Sequence, residues 1–318
     1  MDGIETLYKM NSFQTVLTEE VKKSLPREVY LELIDILSSI TFIKNLIATE
    51  DIRGYAKDVK KSTDYNDGRI EVDLANPHIL EDMDFFREKA LFFEKHGKYT
   101  HLTPNPNPKS EYGLFWKQEL KRWKYGLVRP SDGEWIPGEL YFYWNYSPIW
   151  LVEQAGTQSD GAKSQGERVR KFAKPWLGDY LFHHYVEQCK RRGKHGKMLK
   201  CRGVGASFKA ASWSPRNIYV HPGSGNPNFH LASDKGFLSG DKGIWGKIVD
   251  CLDWIAETTP LERMRVVDRA GSTLEIQLGF KDEYGVRKGN LASVHGISLK
   301  DNPDKARGIR GPLIHYEE

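Results

Sequence analysis

Apolar positions in the first hundred residues predict helices. From Val29 to Ile47 they recur at helical spacing, so residues 12–48 are predicted to be helical. Residues 76–100 predict a second helix, whose apolar positions are Leu80, Met83, Phe85, Phe86, Ala90 and Phe93. The three prolines of residues 101–112 predict a linker or an extended arm, because proline removes a backbone donor and restricts the residue before it.

The next stretch is dense in tryptophan and tyrosine, from Phe115 to Trp150. Its segment GEWIPGELYFYWNYSPIW predicts a turn, a strand and a return, with Pro137–Gly138 interrupting the run. Residues 154–168 are polar and rich in glycine, and they predict a mobile loop at a domain boundary.

After Lys174 the pattern alternates between helix and strand. A helix is predicted over 179–192, with Asp179 or the preceding glycine as its cap. The further predicted elements are a strand at 196–200, a glycine turn at 201–207 followed by a short helical run SFKAAS, strands at 217–221 and 228–233, a helix at 243–257, strands at 274–280 and 290–299 around a turn at 282–285, and the strand PLIHY at 312–316.

Strands that alternate with helices predict an α/β fold built on a sheet. We expect three regions: a helical N-terminal region (1–112), an aromatic-rich adaptor region (113–172) and an α/β domain (173–318).

Composition indicates a globular chain, with 39% apolar and 28% charged residues. No apolar run reaches the roughly 18 residues of a membrane span, and the first ten residues do not resemble a signal peptide. The three cysteines form no CxxC pair and the histidines form no HExxH motif, so neither a disulfide framework nor a metal–thiolate site is expected. A reducing, cytoplasmic setting fits this cysteine usage.

Charge is distributed unevenly, although the net charge is only +4. No acidic residue lies between Glu187 and Asp234, where nine lysines and arginines occur: Lys190, Arg191, Arg192, Lys194, Lys197, Lys200, Arg202, Lys209 and Arg216. A phosphate-bearing ligand is one reason to exclude carboxylates, and a solvated basic surface is the alternative.

The acid-free stretch contains the glycine-rich segment Lys200–Ser207, KCRGVGAS, between a predicted strand and a predicted helix. A phosphate-binding loop has this context, since glycines let backbone amides approach phosphate and the helix N-terminus favours anions. The hydroxyl of Ser207 would bind Mg²⁺. The usual lysine before this serine is replaced by Ala206, so Lys200 or Arg202 would supply the cation. A plain glycine-rich turn is the alternative.

Two acids follow the last predicted strand, at Glu317 and Glu318. An apolar strand that ends in paired acids is typical of a Walker B element, in which one carboxylate holds Mg²⁺ and the next activates water. The alternative is an ordinary acidic strand end. Just upstream, Arg307 and Arg310 lie on a glycine-containing turn, where they would contact phosphate or DNA or act only as surface cations.

At these residues the chain resembles the large terminase subunits of tailed bacteriophages, the ATPases that package DNA into capsids. KCRGVGAS resembles a phosphate loop with a displaced lysine, and DKARGIRGPLIHYEE resembles the Walker B region. GEWIPGELYFYWNYSPIW, KPWLGDYLFHHYVEQ and GKHGKMLK are similar to the region before the ATPase core in terminases of the crAss-like type. The resemblance covers roughly residues 113–318 and implies a RecA-like (ASCE) P-loop NTPase sheet that is incomplete at its C-terminus.

The resemblance implies roles for individual residues, with ATP and Mg²⁺ as cofactors. Lys200 would grip phosphate with Arg202 in support, and Glu318 would be the catalytic carboxylate. Ser207 and Glu317 would hold Mg²⁺. The nucleotide-binding residues would be Lys200, Cys201, Arg202, Gly203, Val204, Gly205, Ala206, Ser207 and Phe208, with Trp176, Asp179 and Tyr180 near the adenine or, alternatively, in helix packing.

The implied partners are double-stranded DNA, the portal protein of the procapsid, the small terminase subunit and further copies of the chain in a ring. The implied location is the host cytoplasm at the portal, without a membrane. The family continues beyond its Walker B element with a nuclease, and no nuclease carboxylate cluster is assigned here, so the chain is interpreted as an N-terminal piece. The alternatives are a nucleic-acid- or capsid-binding protein without ATP hydrolysis, or another P-loop enzyme such as a helicase or kinase.

Overall fold

A computed structural model describes residues 83–152, 168–198, 203–239, 243–270, 273–300 and 302–317. Among these, Leu127–Trp135 belong to one compact unit and all others to a second. In the first unit, Arg129 directly follows the short strand β1 (Leu127–Val128) and forms an ion pair with Asp132 at 2.6 Å; the short strand β2 (Trp135–Ile136) begins at the last residue of this unit. The second unit contains every other element. The helices predicted over 12–48 lie outside the described residues.

The second predicted helix is confirmed over residues 83–96, whereas 97–100 are not helical. A 3-10 helix at Met83–Arg87 leads into α1, Glu88–His96. The residue at the N-cap of α1 supplies no side-chain hydrogen bond. Instead, the Asn145 side-chain carbonyl accepts from the amides of Lys89 and Ala90 at 3.1 and 3.0 Å, because unsatisfied amides at a helix start need acceptors. Residues 97–110, which include the proline-rich segment, form no helix or strand.

The aromatic-rich segment folds as two helices, α2 (Glu111–Tyr125) and α3 (Gly138–Tyr146). The strand predicted within GELYFYWNY is therefore wrong. Every residue of α3 is buried, including the polar Glu139 and Asn145, so its sequence has no exposed polar face and shows no helical period. Strands β3 (Ile149–Val152) and β4 (Arg168–Lys171) follow as an antiparallel pair, and the rest of the predicted loop at 154–168 lies outside the described residues.

A buried carboxylate organises the contact between α2 and α3. Glu119, which is 1% exposed, accepts hydrogen bonds from the hydroxyls of Tyr141 and Tyr146 at 2.6 and 2.8 Å. Its other oxygen accepts from Arg122 at 2.6 Å. Because a buried charge is tolerated only when paired and hydrogen-bonded, these three donors let Glu119 lie inside the aromatic core.

The helix predicted at 179–192 is confirmed as α4, Leu177–Arg191. Its predicted cap is wrong, because Trp176 is the N-cap residue and makes no side-chain capping bond. Asp179 lies inside the first turn, and its side chain is engaged elsewhere. No strand forms at Gly196–Met198, the described part of the predicted strand 196–200.

The short helical run after the glycine turn is much longer than predicted. Helix α5 extends over Ala206–Val220, so the strand predicted at 217–221 is wrong for this region. Arg216, 4% exposed, donates to the carbonyls of Trp123 and Lys124 and to Glu139. These tertiary hydrogen bonds help to explain why residues 217–220 are helical, although they include β-branched and aromatic residues.

The core of the second unit is a mixed sheet of five strands in the order β11–β5–β10–β7–β6. These strands are β5 (Pro227–Ala232), β6 (Arg265–Ala270), β7 (Leu274–Leu278), β10 (Ser293–Ser298) and β11 (Leu313–Glu317). β5 pairs in parallel with β10 and with β11, whereas β7 runs antiparallel to β10 and to β6. The predicted α/β class is confirmed, and β6 was not predicted from the sequence.

Helix α7 (Ile244–Thr258) packs on α5 and confirms the predicted amphipathic helix. The short α6 (Lys235–Ser239) precedes it. The turn predicted at 282–285 is confirmed between β8 (Phe280–Lys281) and β9 (Arg287–Lys288), where Asp282 accepts from the amides of Tyr284 and Val286. Within the described ranges, no helix is long and apolar enough to cross a membrane.

Candidate functional site

The glycine turn leads directly into α5. Gly203 and Gly205 adopt left-handed backbone angles, with φ of 88° and 70°, which favour glycine over residues with a Cβ. The carbonyl of Gly205 accepts from the amides of Phe208 and Lys209. No side chain caps this helix. The amides of Ala206 and Ser207 precede these first helical donors, so they are the groups that a helix N-terminus presents to an anion.

The two predicted Mg²⁺ ligands lie side by side. Ser207, in the first turn of α5, donates a hydrogen bond to Oε1 of Glu317 at 2.7 Å. Glu317 is the last residue of β11, at the carboxyl end of the strand, where β5 and β10 also end. Ligands of open α/β sheets bind at this edge. The hydroxyl and the carboxylate are the kinds of oxygen that a hard cation prefers.

Two histidines lie behind Glu317. Ser214 Oγ is 2.7 Å from Nε2 of His230. The other ring nitrogen of His230, Nδ1, is 3.3 Å from Nδ1 of His315. Nε2 of His315 is 3.5 Å from Oε2 of Glu317. One set of tautomers satisfies these contacts: the serine donates to His230, His230 donates to His315, and His315 donates towards the carboxylate. Burial lowers the pKa of His230 well below its ordinary value, so this ring is neutral as the arrangement requires.

A buried lysine connects the glycine turn to α4. Lys209, 2% exposed, forms an ion pair with Asp179 at 2.8 Å and donates to the carbonyl of Val204 at 2.8 Å. The other carboxylate oxygen of Asp179 accepts from the indole of Trp144 at 3.1 Å. The amine also lies 4.7 Å from the centre of the Trp176 ring. Lys209 is therefore committed to holding the turn, and Asp179 has a structural role.

An open cleft of about 930 Å³ lies beside the turn. Its walls come mainly from the end of α1, from α3, from the β3–β4 pair and the segment that follows it, from the first turn of α4, from Gly203–Gly205 and from Trp254 of α7. Its cationic side chains outnumber its acidic ones, with Arg87, Arg170, Lys171 and Lys174 against Glu94 and Asp179. Its aromatic side chains are Phe93, Tyr143, Phe172, Trp176 and Trp254. Cations and ring faces together suit an anionic ligand that carries an aromatic ring.

The predicted site residues fall into four groups. Gly203, Val204 and Gly205 line the cleft with Trp176 and Asp179. Ala206 and Ser207 begin α5, whereas Phe208 lies under the amine of Lys247 and Tyr180 stacks on His184, both outside the cleft lining. Lys200, Cys201, Arg202 and Glu318 lie outside the described residues, so their predicted roles stay predictions.

Several cations of the acid-free stretch have internal partners. Lys190 and Arg216 both pair with Glu139 of α3, Arg191 pairs with Glu187, and Lys209 pairs with Asp179. Burial opposes ionisation of Glu139, but the charges of Arg216 and Lys190 lower its pKa to about 2. Acids outside the stretch thus neutralise part of it, while Arg192, Lys194 and Lys197 are exposed.

The arginine turn before β11 is also described. Arg307 is exposed and pairs with Asp304, at the end of a 3-10 helix over Pro303–Ala306, and Arg310 is exposed as well. Gly311 lies so close to the carbonyl of Pro227 that a Cβ would overlap with it. This glycine therefore lets β11 begin beside β5, and the two arginines remain surface cations here.

Sequence reasoning missed two residues of the site. Lys209 was noted only as one of nine cations, and the partner of its buried amine lies thirty positions upstream (Asp179). Tyr143 was assigned to a strand, although it lies on α3 and lines the cleft. The absence of acids around the turn was the available signal for the Lys209 ion pair, because a buried lysine there needs a carboxylate from another part of the chain. The sequence offered no such signal for Tyr143.

Comparisons with known protein families, with curated proteins and with solved structures found no match. Among the described residues, no group of three or more histidines, cysteines or acids forms a cluster that could hold a metal ion. Function is therefore inferred from the cleft, the glycine turn and the Ser207–Glu317 pair.

Proposed function

We propose that this chain is an ATP-hydrolysing motor subunit of viral DNA packaging, a large terminase subunit whose α/β unit is a P-loop NTPase domain of the RecA-like (ASCE) type. The observation that carries the proposal is the 2.7 Å hydrogen bond between Ser207 and Glu317. A serine at the start of the helix after a glycine turn and an acid at the carboxyl end of a parallel strand are the two protein ligands that such enzymes offer to Mg²⁺.

The residues fit a magnesium ion that is held mainly by water and phosphate. Mg²⁺ keeps several waters and takes one or two protein oxygens, so a lone hydroxyl–carboxylate pair suits it better than a protein cage would. When bound, the ion would neutralise charge on the phosphates. Ser207 and Glu317 would hold it, the amides of Ala206 and Ser207 would contact phosphate oxygens, and Glu318 would orient the attacking water.

The phosphate-binding cation is proposed to be Lys200, supported by Arg202. The support is indirect: Ala206 replaces the usual lysine, and the amine of Lys209 is already engaged by Asp179 and Val204. The adenine ring would lie in the cleft against Trp176, which is 45% exposed. Tyr180 is not proposed as a base contact, because it packs on His184.

The proposed partners follow from this activity: double-stranded DNA, the portal of the procapsid in the host cytoplasm, the small terminase subunit and identical subunits in a ring. DNA contacts would be directed at phosphates, because a packaging motor must move any sequence. The exposed Arg192, Lys194 and Lys197 are cations available for such contacts.

A titration of the purified chain with a fluorescent ATP analogue tests the proposal, with Mg²⁺ and then with EDTA. We expect binding that strengthens with Mg²⁺ and weakens in the variant Lys200→Ala. Exposed Lys235→Ala, on α6 away from the cleft lining, is the matched control and should bind as the wild type does. Absence of nucleotide binding by the wild-type chain would refute the proposal.

A second candidate function is nucleic-acid or capsid binding without ATP hydrolysis. The exposed cations after α4 and the missing lysine at Ala206 favour it. It predicts salt-dependent binding of a DNA duplex that nucleotides do not change, and loss of that binding when Arg192, Lys194 and Lys197 are replaced together by serine. A duplex-binding experiment with and without ATP separates the two candidates.

A further inference from the structure

Tyr143 has a buried ring and an unused hydroxyl. The residue is 2% exposed, lies on α3 and stacks on His183 with ring centres 5.6 Å apart. Among the described residues, no hydrogen bond to its hydroxyl is found, in contrast to its neighbours Tyr141 and Tyr146, whose hydroxyls both donate to Glu119. Because the residue lines the cleft, its hydroxyl keeps its hydrogen-bonding capacity for water or for a ligand that enters there.

The hydroxyl lies beside the glycine turn. It is 3.9 Å from the position that a Cβ on Gly205 would occupy, and apart from Gly205 and its two chain neighbours no other described residue comes within 4 Å of that position. Both residues line the cleft. The hydroxyl therefore stands next to the turn from which the amides of Ala206 and Ser207 start α5, and the space in front of it is open to a ligand.

We propose that Tyr143 is a ligand-binding residue of the cleft, whose hydroxyl donates a hydrogen bond to a phosphate oxygen of a nucleotide held at the glycine turn. This inference rests on the proposed function and adds to it a contact from α3, outside the phosphate loop. The ligand class is a nucleoside di- or triphosphate, with the contact on the phosphate part rather than on the base.

The chemistry of the hydroxyl suits this role. Burial and then the nearby charge of Asp179 raise the pKa of Tyr143 above its ordinary value, so the hydroxyl remains a donor at any pH at which the protein would work. Asp179 itself is neutralised by Lys209 at 2.8 Å, which limits its repulsion of a phosphate. Hydrogen bonds to charged groups are stronger than those between neutral groups, so a phosphate gains more from this donor than a base would.

The variant Tyr143→Phe removes one oxygen and keeps the ring. We expect it to weaken binding of ATP and of inorganic tripolyphosphate by a similar factor, about 10- to 100-fold, in isothermal titration with the full chain. Adenosine binding should not change. The control Tyr219→Phe removes a hydroxyl that donates to the carbonyl of Glu262 and is not part of the cleft lining, so it should leave all three affinities unchanged.

The possible results distinguish failure of the proposed function from failure of the inference about Tyr143. If the wild-type chain binds neither ATP nor tripolyphosphate, both the proposed function and this inference fail. If the wild type binds and Tyr143→Phe binds equally well, or loses only adenosine, the inference fails alone. Thermal unfolding gives a second measurement: a hydroxyl without a protein partner predicts an unchanged midpoint for Tyr143→Phe, whereas Tyr141→Phe should unfold several degrees lower. A large drop for Tyr143→Phe would assign its hydroxyl a structural role instead and overturn the inference.

Discussion

Ser207 and Glu317 are 110 positions apart, yet the serine hydroxyl donates to the glutamate carboxylate at 2.7 Å. The pairing arises because β11 runs parallel to β5, which brings the end of β11 to the edge of the sheet where α5 begins. A hydrogen-bonded hydroxyl and carboxylate at this edge are already close enough to share one small cation.

The pair predicts coupled effects on magnesium-dependent binding. Ser207→Ala and Glu317→Gln should each weaken binding of the ATP analogue in Mg²⁺ by about tenfold or more, which corresponds to roughly 1.4 kcal/mol. The double variant should lose less than the sum, because residues that share one partner are not independent. Titrations in EDTA should show little difference among the wild type, the two single variants and the double variant.

The matched control for this cycle is Ser212→Ala. Ser212 lies on the same helix and donates to the carbonyl of Lys209 rather than to a carboxylate. Its replacement should leave the magnesium dependence intact. Additive losses for Ser207 and Glu317, or equal losses in EDTA, would show that the two residues do not share a metal.

A second prediction concerns the buried ion pair of Lys209. Replacement by methionine keeps most of the side-chain volume but leaves Asp179, 1% exposed, without its cation. We expect the free energy of unfolding to fall by about 3–5 kcal/mol, because an unpaired buried charge is costly. Chemical denaturation measures this change. The exposed Lys197→Met should change stability by less than about 0.5 kcal/mol, and equal stability of both variants would contradict the role of the pair.

A third prediction concerns acid stability and His183. Burial lowers the pKa of this histidine to about 3, whereas in the unfolded chain it titrates near its ordinary value of 6.5. Below about pH 6.5 the unfolded state therefore binds a proton that the folded state excludes. Stability should fall as the pH decreases from about 6.5 towards 3, by up to ~1.4 kcal/mol per pH unit for this group, and should not depend on it at higher pH.

Urea denaturation between about pH 8 and pH 4 measures this dependence. His183→Asn keeps a donor towards the carbonyl of Asp179, which lies 2.9 Å from the ring nitrogen, and has no titrating ring. The variant should show a smaller slope below pH 6.5. His184, whose pKa burial also lowers to about 3, should account for part of the slope that remains. An unchanged slope in His183→Asn would contradict this assignment.

The fourth prediction concerns His315 as a positioning residue for Glu317. His315→Leu removes the ring nitrogen that lies 3.5 Å from the carboxylate and should weaken magnesium-dependent binding of the ATP analogue by about 3-fold, the lower range for one polar contact. His315→Gln retains a donor near the position of Nε2 and should recover much of the affinity. If the two variants bind alike, the side chain only fills space between the strand and Trp213, its edge-to-face neighbour.

The sequence by itself determined the elements with a clear local signal. The strands around Asn228–Ala232 and at 313–317, the helix after Gly243 and the turn at Asp282 all appear where expected. The strands and the helix have a hydrophobic pattern and the turn has turn-forming residues, and such signals act over a few positions. The glycine turn before Ser207 is of the same kind, because left-handed backbone angles favour glycine whatever the rest of the fold does.

Only the tertiary structure decided the secondary structure of segments that are buried on all sides, and only it decided which charged residues pair over long sequence distances. Helix α3 carries no helical period, since the aromatic core surrounds it completely, and the last turn of α5 follows Arg216, whose bonds reach α2 and α3. Two contacts in the site are likewise between residues far apart in sequence: Lys209 pairs with Asp179, and the hydroxyl of Tyr143 lies beside Gly205. Periodicity and local propensity contain no information about such pairs, because those contacts exist only once the strands and helices have packed.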